Sequence, residues 1–511
     1  MGYNVSMKNN MMMVAGAMLF ACAVVSAEAA RPVARWDVVP SQRVAGVFKA
    51  GVVAFHEKGV KVEFDVAGKK FVAENPALND RVGVWEYFVP INTEKLPDGP
   101  VTVKAKAVTL DGAEFYDLPE LLLYADNKKS VGSHESVTIG PDESLKDAIA
   151  KVGDGGTVYL RKGVYKPQGL GGKDRKYWTT LTVAPGVKRE EVEFVPGRPG
   201  ANRLRFKGVT LACDFEGKYL SLLSGEGGAT ECWLDDCKLM NKKGRWAGNS
   251  NSFGNRMRGY VTGGETTEMN NGPDGELIRN HVVYKIASDV WTGSDRLVVN
   301  CSCHDVDPGK TGAHPDFHQS HCRAPNYVHD VILYNVSGYD CKCQGLFGLR
   351  LKDSAFVNVS FKCDNNMYTQ YSDEMINVIF AHVTLVNQTW LWREGKKGKD
   401  GNFKPTDVRV VNCNLRQMGG FADLHNGDGT AGLLVKANAF YGKDRKGGPA
   451  GLFGLDALEV EEGWKDAAAH DFALKSGSPA LTHGMPLQCV PTDINGNPYP
   501  AGPRPCGAYT K

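Results

Sequence analysis

The feature that most constrains this sequence is a short apolar pattern that recurs between residues 297 and 441. Each copy has a few β-branched or apolar residues, then one polar residue, then a small or β-branched residue. The copies occupy 297–301, 331–336, 356–359, 379–383, 408–413 and 433–437, with a weaker copy at 232–237. Their polar positions are Asn300, Asn335, Asn358, His382, Asn412 and Lys436, at steps of 35, 23, 24, 30 and 24 residues.

Self-similarity at this period, in residues that favour strands, predicts a solenoid of stacked repeats. One repeat cannot bury its own apolar face, but stacked copies can, through parallel strands that pair from coil to coil. A second series is centred near 318, 347, 369, 391 and 421, with steps of 29, 22, 22 and 30 residues. Two series with one period predict an all-β chain whose coils contain at least two sheets, which is a parallel β-helix. The longer steps predict loops inserted on one face, where solenoids usually bind their ligands.

The slot that follows the polar position predicts one column of the core. Because these residues share a place in the repeat, we expect their side chains to stack inside the coils, and the cysteines to act as small buried hydrophobes. The residues are Cys237, Cys301, Val336, Val359, Val383 and Cys413. A stacked asparagine ladder is expected at the polar position itself.

Composition is that of a large globular chain, with 511 residues, 42% apolar and 23% charged. A net charge of +2 provides no electrostatic argument for nucleic acid or an anionic membrane. Residues 1–30 have the pattern of a signal peptide, with Lys8 before an apolar run at 11–25 and a small-x-small site ending at Ala29. No later run is long and apolar enough to span a bilayer. The expected location is therefore secreted, periplasmic or at the cell surface.

Residues 31–127 are predicted to form a separate β-sandwich. Apolar and polar residues alternate at 52–55, 60–66, 84–89 and 101–107, with turn residues between these stretches. The segment resembles the immunoglobulin-like or fibronectin-like modules attached to exported carbohydrate-active proteins. A spacer role and a glycan-binding role both remain open, and we expect the module to fold alone and to be dispensable for chemistry.

An amphipathic helix is predicted at 144–152, and it leads into the run GGTVYLRKGVY at 155–165. Here the chain resembles the pectate-lyase-like superfamily, in which such a helix caps the first coil. Segments 474–481 and 493–498 resemble the closing segment of secreted right-handed β-helix proteins. The resemblance implies a right-handed parallel β-helix over 137–511 with an N-terminal capping helix. It leaves the activity open, because the superfamily includes lyases, hydrolases, epimerases and adhesins.

Candidate site residues lie where the coils are enlarged. Five of the twelve histidines fall within 304–329, and the second series adds basic and aromatic residues in the following coils. If Leu391 points inward, its neighbours Trp390 and Trp392 point outward, as a platform for a sugar ring requires. The predicted catalytic residues are His318, Arg350, Lys352 and Tyr371. The predicted substrate-binding residues are His314, Gln319, Gln370, Trp390, Trp392 and Arg393. The predicted metal ligands are Asp316 and Asp373, with Ca²⁺ as the ion.

Three functions fit these residues. A lyase acting on a uronate polysaccharide needs a group that neutralises the carboxylate, together with a base and an acid, and the basic residues or Ca²⁺ could supply them. A glycoside hydrolase needs two carboxylates, here Asp316 and Asp373 with Glu394 in reserve. A non-catalytic glycan-binding protein needs only the exposed surface. The sequence lacks the motifs of pectate lyases proper and of polygalacturonases. We favour β-elimination on an acidic polysaccharide by a monomer that binds no nucleic acid.

Overall fold

The computed structural model describes residues 31–225, 230–254, 257–310, 314–320, 322, 325–364, 368–372, 374–393, 404–419, 432–441, 457–460 and 463–510. The predicted signal peptide at 1–30 lies outside these ranges. Within them, no helix has the length and apolar character needed to cross a membrane.

The first hundred described residues form two sheets packed face to face, in which all strand pairs are antiparallel except that of β2 with β10. One sheet has the strand order β1-β3-β7-β6, and the other has the order β2-β10-β8-β4-β5 with β9 beside β8. Buried and half-exposed residues alternate strictly along β4, as expected for a strand with one face on a core. The strands are β1 (Val33–Trp36), β2 (Arg43–Val44), β3 (Val47–Phe55), β4 (Val60–Val66), β5 (Lys69–Ala73), β6 (Ala77–Asn79), β7 (Val84–Asn92), β8 (Gly99–Thr109), β9 (Phe115–Asp117) and β10 (Leu121–Ala125).

Most of the rest of the chain forms stacked coils in which strands pair in parallel with their counterparts in the next coil, and the last two strands form a separate antiparallel pair. The prediction of an all-β chain with a parallel β-helix after a β-sandwich is confirmed. The first half contains β11 (Ser136–Ile139), β12 (Thr157–Leu160), β13 (Gly163–Tyr165), β14 (Thr179–Val183), β15 (Val192–Phe194), β16 (Leu204–Lys207), β17 (Thr210–Cys213), β18 (Gly217–Leu223), β19 (Thr230–Asp235), β20 (Lys238–Asn241), β21 (Gly248–Phe253), β22 (Met257–Thr262), β23 (Glu265–Thr267), β24 (Leu277–Arg279), β25 (Val282–Ile286) and β26 (Trp291–Thr292).

Longer strands dominate the second half of the coils. It contains β27 (Arg296–Val306), β28 (Asp316–Ser320), β29 (Val328–His329), β30 (Val331–Cys341), β31 (Gln344–Gly348), β32 (Leu351–Cys363), β33 (Tyr368–Ser372), β34 (Glu374–Ala381), β35 (Thr384–Arg393), β36 (Lys404–Val411), β37 (Asn414–Gly419), β38 (Leu433–Lys436), β39 (Asn438–Phe440), β40 (Ala457–Glu459), β41 (Trp464–Asp466) and β42 (Asp471–Leu474). Short 3₁₀ helices occur at Thr93–Lys95, Arg189–Glu191 and Pro479–Thr482.

Helix α1 (Leu145–Val152) closes the first end of the coils. The Ser144 hydroxyl accepts a hydrogen bond from the Asp147 backbone N–H, and Gly153, at φ +73°, ends the helix. The buried residues are the four apolar ones that the sequence pattern places on one face: Leu145, Ala148, Ile149 and Val152. They belong to the same core as the coil interior, so α1 covers the apolar end of the stack.

The predicted interior column is present, because all six of its side chains are buried in one core cluster. Backbone register pairs Cys301 with Val336, and Val336 with Val359. Between Cys237 and Cys301 the register inserts Gly264 and His281. Burial raises the pKa of the Cys237, Cys301 and Cys413 thiols to about 12, as expected of cysteines that act as buried hydrophobes.

At the polar position, the coil turns a corner through the left-handed backbone region. Asn and Asp tolerate that region better than other residues with a β-carbon, which explains their recurrence. The φ values lie between +50° and +56° at Asp236, Asn280, Asn300, Asn335, Asn358, His382, Asn412 and Ala437. The expected asparagine ladder is present, since Asn335 Nδ2 donates to Asn300 Oδ1 at 3.1 Å and Asn358 Nδ2 donates to Asn335 Oδ1 at 2.9 Å. Lys436 was placed one residue early, because Val411 pairs with Lys436 and the corner residue is Ala437.

The sandwich packs on the outer face of the sheet that precedes these corners. Val33, Phe55 and Val84 join one apolar cluster with coil residues that include Trp233 and Tyr334. A buried ion pair joins Asp37 to Arg279, and Arg409 contacts Glu57 at 2.7 Å. This face of the coils is therefore covered by protein.

The C-terminal segment returns along the coils to the sandwich. Gln488 accepts a hydrogen bond from the Val60 backbone N–H at 2.9 Å and donates one to the Glu74 carbonyl at 2.7 Å. Leu487, Cys489 and Val490 complete the apolar cluster that the sandwich shares with the coils.

Candidate functional site

A groove of about 530 Å³ opens on a different face of the coils, beside β21, β26 and β28. Its described lining combines four carboxylates, among them Asp295, with two guanidinium groups and several amides. These residues are Asp274, Glu276, Asp289, Arg258, Arg296, Asn251, Asn271 and Gln319. The mixture of charged and amide groups suits a ligand with many polar atoms.

Hydrogen bonds between successive coils hold the loop at 269–275 in place. The Asp274 backbone N–H donates to Ser252 Oγ at 2.9 Å, and Asn271 Nδ2 donates to Asn251 Oδ1 at 2.6 Å. The Gly272 N–H donates to the Asp289 carbonyl at 2.8 Å. Asp274 and Asp289 are therefore supported from both neighbouring coils, as a preorganised site requires.

Asp289 and Asp316 form a carboxylate pair beneath the groove. The Asp316 backbone N–H donates to Asp289 Oδ1 at 3.0 Å, and the Val290 N–H donates to the Asp316 carbonyl at 3.0 Å. Burial raises the pKa of Asp289 to about 6. Burial, and then the charge of Asp289, raise the pKa of Asp316 to about 8. The pair therefore retains a proton near neutral pH, with Asp289 facing the groove and Asp316 fully buried behind it.

Asp274 has a different environment, because a cation lies close to it. Arg296 NH2 is 3.9 Å from Asp274 Oδ1, and the Arg296 side chain is buried under the groove. The surrounding protein raises the pKa of Asp274, and the guanidinium acts in the opposite direction. The Asp274 side chain is 37% exposed, so a ligand in the groove can reach it.

Asp316 and Gln319, both predicted from sequence, come together at this groove. Gln319 Nε2 donates to Asp316 Oδ2 at 2.9 Å, and Gln319 lines the cavity. His318 requires a correction, because its side chain is fully buried and lies 5.0 Å from the Phe356 ring. Burial lowers its pKa to about 3. An imidazole enclosed in the core cannot exchange protons with a substrate.

The structure places Arg350 and Lys352 at another location. Arg350 NH2 contacts Glu374 at 2.7 Å, and its guanidinium lies over the Tyr327 ring at 4.3 Å. Lys352 lines a second cavity of about 570 Å³, together with His329 and Asp330. Neither Arg350 nor Lys352 is among the described residues that line the groove with Gln319, and one groove shared by both residues and Asp316 stays a prediction.

The remaining predicted residues are only partly described. His314 is exposed, and Asp373 and Glu394 lie outside the described residues. For Gln370, Tyr371, Trp390, Trp392 and Arg393 only the backbone is described. Its register pairs Tyr371 with Trp392 and Gln370 with Leu391. Through Phe347, Gln370 shares the column of Gln319. Their roles in substrate binding stay predictions.

Calcium binding also stays a prediction. One Asp316 oxygen accepts from Gln319, and the raised pKa keeps this carboxyl protonated, whereas a Ca²⁺ ligand must be ionised. In the described part of the chain, the one group of three possible ligands within 4.8 Å is Asp295, His329 and Asp330. Arg31 and Arg35 already lie beside these two aspartates. The described donors do not fit the ion, and the reaction proposed for the groove does not use it.

Sequence reasoning missed Asp274, Asp289 and Arg296. The available signal was the polar run at 270–274, Asn-Asn-Gly-Pro-Asp, one coil before the histidine-rich segment. The coils there are short and irregular, so the residues carry no repeat to align.

Comparisons with known proteins add little to this picture. No protein-family model matches the sequence, and no curated protein matches it. Among solved structures, the chain is similar to a family 28 exopolygalacturonase from Yersinia enterocolitica, with 10% identity, 76% of this chain and 99% of that chain covered, and a TM-score of 0.25. A polysaccharide deacetylase from Bacillus cereus matches with 7% identity over 33% of this chain and 60% of that one, at a TM-score of 0.15. At such TM-scores, the fold is established by the strand pairing of the chain itself.

Proposed function

We propose that the chain is a polysaccharide-cleaving enzyme that hydrolyses a glycosidic bond, with Asp289 as the general acid and Asp274 as the general base. The observation that carries the proposal is the difference between two carboxylates in one groove. Asp289 has a pKa near 6 and a protonated carboxyl behind it, whereas Asp274 has a guanidinium 3.9 Å away. Two carboxyl groups in one groove, one of which can hold a proton while the other has a cation beside it, are the arrangement that acid–base cleavage of glycosides uses.

In the proposed reaction, protonated Asp289 donates its proton to the glycosidic oxygen as the bond from that oxygen to the anomeric carbon breaks. The bonding electrons remain on the leaving oxygen. Ionised Asp274 accepts a proton from the water that forms the new bond to the anomeric carbon. Protons balance, because one carboxyl loses a proton and the other gains one. Arg296 favours the ionised form of Asp274 before the reaction.

Hydrolysis accounts for the described groove better than elimination does. β-Elimination needs a base that removes a proton from carbon. The residues expected to catalyse the elimination as a whole are His318, Arg350, Lys352 and Tyr371. His318 is enclosed in the core, and Arg350 and Lys352 do not line the groove. Arg258, which does line it, is held by Glu276 at 2.5 and 2.7 Å. The exported location proposed from residues 1–30 fits a polymeric substrate.

The test is an assay of the purified chain on polygalacturonate, alginate and xylan. Reducing ends report hydrolysis, and ultraviolet absorbance reports the unsaturated product of elimination. Asp289→Asn and Asp274→Asn should each lower kcat by roughly 10²–10⁴-fold, the usual contribution of a general acid or base. Asp214→Asn is the matched control, since Asp214 is 64% exposed and lies outside the groove. Full activity in Asp289→Asn would overturn the assignment, and absorbing products from the wild type would favour the lyase.

A further inference from the structure

A third cavity, of about 480 Å³, lies between the sandwich and the coils. It shares Arg258, Glu276 and Asp295 with the carboxylate groove, so the two cavities adjoin each other on the coil surface. We call this cavity between the sandwich and the coils the interdomain cleft. It is therefore an extension of the proposed site that neither unit could form alone.

The coil wall of the cleft is a ladder of alternating charges. Arg203 Nε contacts Glu231 at 2.9 Å, Glu231 contacts Arg258 NH1 at 3.2 Å, and Arg258 continues to Glu276. Positive and negative charges balance along this ladder. Such a wall offers both donors and acceptors to hydroxyl groups without attracting one sign of charge.

The sandwich wall adds aromatic and apolar side chains, with Arg35, Ser41 and Glu120 among them. Tyr116, Trp36 and Leu122 line it and are half-buried. Arg31 lies 3.8 Å from the centroid of the Tyr116 ring, and Trp36 Nε1 donates to the Pro119 carbonyl at 2.7 Å, so both rings are held in position. A sugar residue has polar edges and an apolar face, and the two walls of the cleft match these surfaces.

Contacts across the domain boundary keep the cleft at a fixed width. Arg35 donates to the Asp295 carbonyl at 2.7 Å and to the Asp330 carbonyl at 3.2 Å. Arg31 contacts Asp353 at 2.8 Å, and the buried pair of Asp37 and Arg279 lies in the same interface. A preformed cleft binds a ligand without the entropic cost of closing around it.

We propose that the interdomain cleft is a glycan subsite, in which the β-sandwich binds sugar residues of the substrate chain at a distance from the cleaved bond. This inference rests on the proposed function, because the same glycan occupies the groove and the cleft. It assigns the sandwich a part in substrate binding, in place of a spacer. The subsite should take hydroxyl-rich sugar residues, because its charged wall is paired within itself and offers both donors and acceptors.

The test compares Tyr116→Ala with Phe115→Ala and Tyr116→Phe. Phe115 is the adjacent residue on β9, is 54% exposed and does not line the cleft. On whichever of polygalacturonate, alginate or xylan the wild type cleaves, Tyr116→Ala should raise KM for the polymer roughly 3–10-fold, from the loss of one aromatic contact. KM for the corresponding trisaccharide should change little. Tyr116→Phe and Phe115→Ala should both have the wild-type KM for the polymer.

Affinity electrophoresis in gels that contain each polymer separates this inference from the proposed function. If a polymer retards the wild type but not Tyr116→Ala, and the wild type cleaves none of the polymers, the result supports the subsite and contradicts the hydrolase. Cleavage with an unchanged polymer KM in Tyr116→Ala supports the hydrolase and overturns the subsite. Thermal melting excludes misfolding of Tyr116→Ala, and Leu122→Ala provides a second reading of the same wall.

Discussion

Asp316 connects the proposed chemistry to the stability of the fold. Its folded pKa of about 8 lies above the ordinary value for an aspartate, so the folded state retains a proton that the unfolded state has lost. Stability should therefore fall as pH rises from about 4 to about 8. Asp316→Asn removes this proton linkage, so its free energy of unfolding should rise relative to that of the wild type across the window, by on the order of a few kcal/mol at the upper end, with a corresponding rise in relative melting temperature.

Parallel thermal scans of both proteins over this pH range measure the difference. Asp214→Asn serves again as the exposed control and should follow the wild type throughout. A difference between Asp316→Asn and the wild type that stays constant with pH would mean that Asp316 has an ordinary pKa.

The activity of the wild type should depend on pH in a related way. Asp289 must be protonated to act as the acid, and its pKa is about 6. Hydrolysis should therefore decline on the alkaline side with an apparent midpoint near that value, while the acid side reflects ionisation of Asp274. The profile of kcat/KM on a cleaved polymer measures both limbs. An activity that is flat through pH 6 to 8 would contradict the role of Asp289.

Asn358 shows why asparagine recurs at the coil corners. Its φ is +50°, and its amide donates to Asn335 Oδ1 at 2.9 Å and to the Thr492 carbonyl at 2.7 Å. Asn358→Ala should lose these bonds and add left-handed strain, for a cost of about 2–5 kcal/mol. Asn358→Gly should lose the bonds with little of the strain, so its urea midpoint should lie between those of the other two proteins. Equal midpoints for Ala and Gly would remove strain from the explanation.

Residue roles were harder to predict than residue positions. The asparagine ladder was predictable because the repeat places each amide above another. His318 was misassigned because four of the five residues of β28 are buried, Asp316 and Ser320 among them, so the usual alternation of inward and outward residues fails there. Polarity alone could not indicate that this imidazole points into the core.

At the level of elements, the shape of each coil depends on backbone that comes closer than a side chain allows. A β-carbon on Gly264 would lie 2.1 Å from the Cys237 carbonyl oxygen, at a φ of +78°. Gly496 has nearly the same φ, +80°, and nothing within 4 Å. Gly264→Ala should therefore destabilise the protein by roughly 1–3 kcal/mol more than Gly496→Ala, the usual cost of overpacking. Chemical denaturation of both variants measures the difference, and equal losses would mean that the coils can separate at this corner.

The repeating coils were predictable to within a residue, and the groove was not. From β27 onward, valines and cysteines recur in one slot, so burial and register follow from the period. Between β20 and β26, glycine and histidine occupy the corresponding interior positions, at Gly264 and His281. The loop at 269–275 connects β23 and β24. Its placement depends on hydrogen bonds to Ser252 and Asn251, which no periodicity reveals.

For the whole molecule, the interface between the sandwich and the coils predicts the behaviour of a truncated chain. Removal of residues 31–127 would expose Trp178, Trp233, Tyr260 and Tyr334, which are buried against the sandwich. The remaining fragment should bind a hydrophobic dye, melt at a lower temperature and self-associate, since an apolar patch of this kind is unstable in water. Dye fluorescence and light scattering test this, with the full chain as control. A monomeric fragment with an unchanged melting temperature would mean that the interface contributes little to the stability of the coils.

The hydrogen bonds between Gln488 and the sandwich also affect the order in which the protein can be assembled. The sandwich leaves the ribosome first, yet residues near the other end of the chain complete the apolar surface on which it rests. Domains generally fold as they are made. Here, however, the surface against which the sandwich packs is complete only after residues 487–490 have been synthesised. A premature stop or a proteolytic cut before residue 487 should therefore weaken the attachment of the sandwich, which is synthesised first, to the coils.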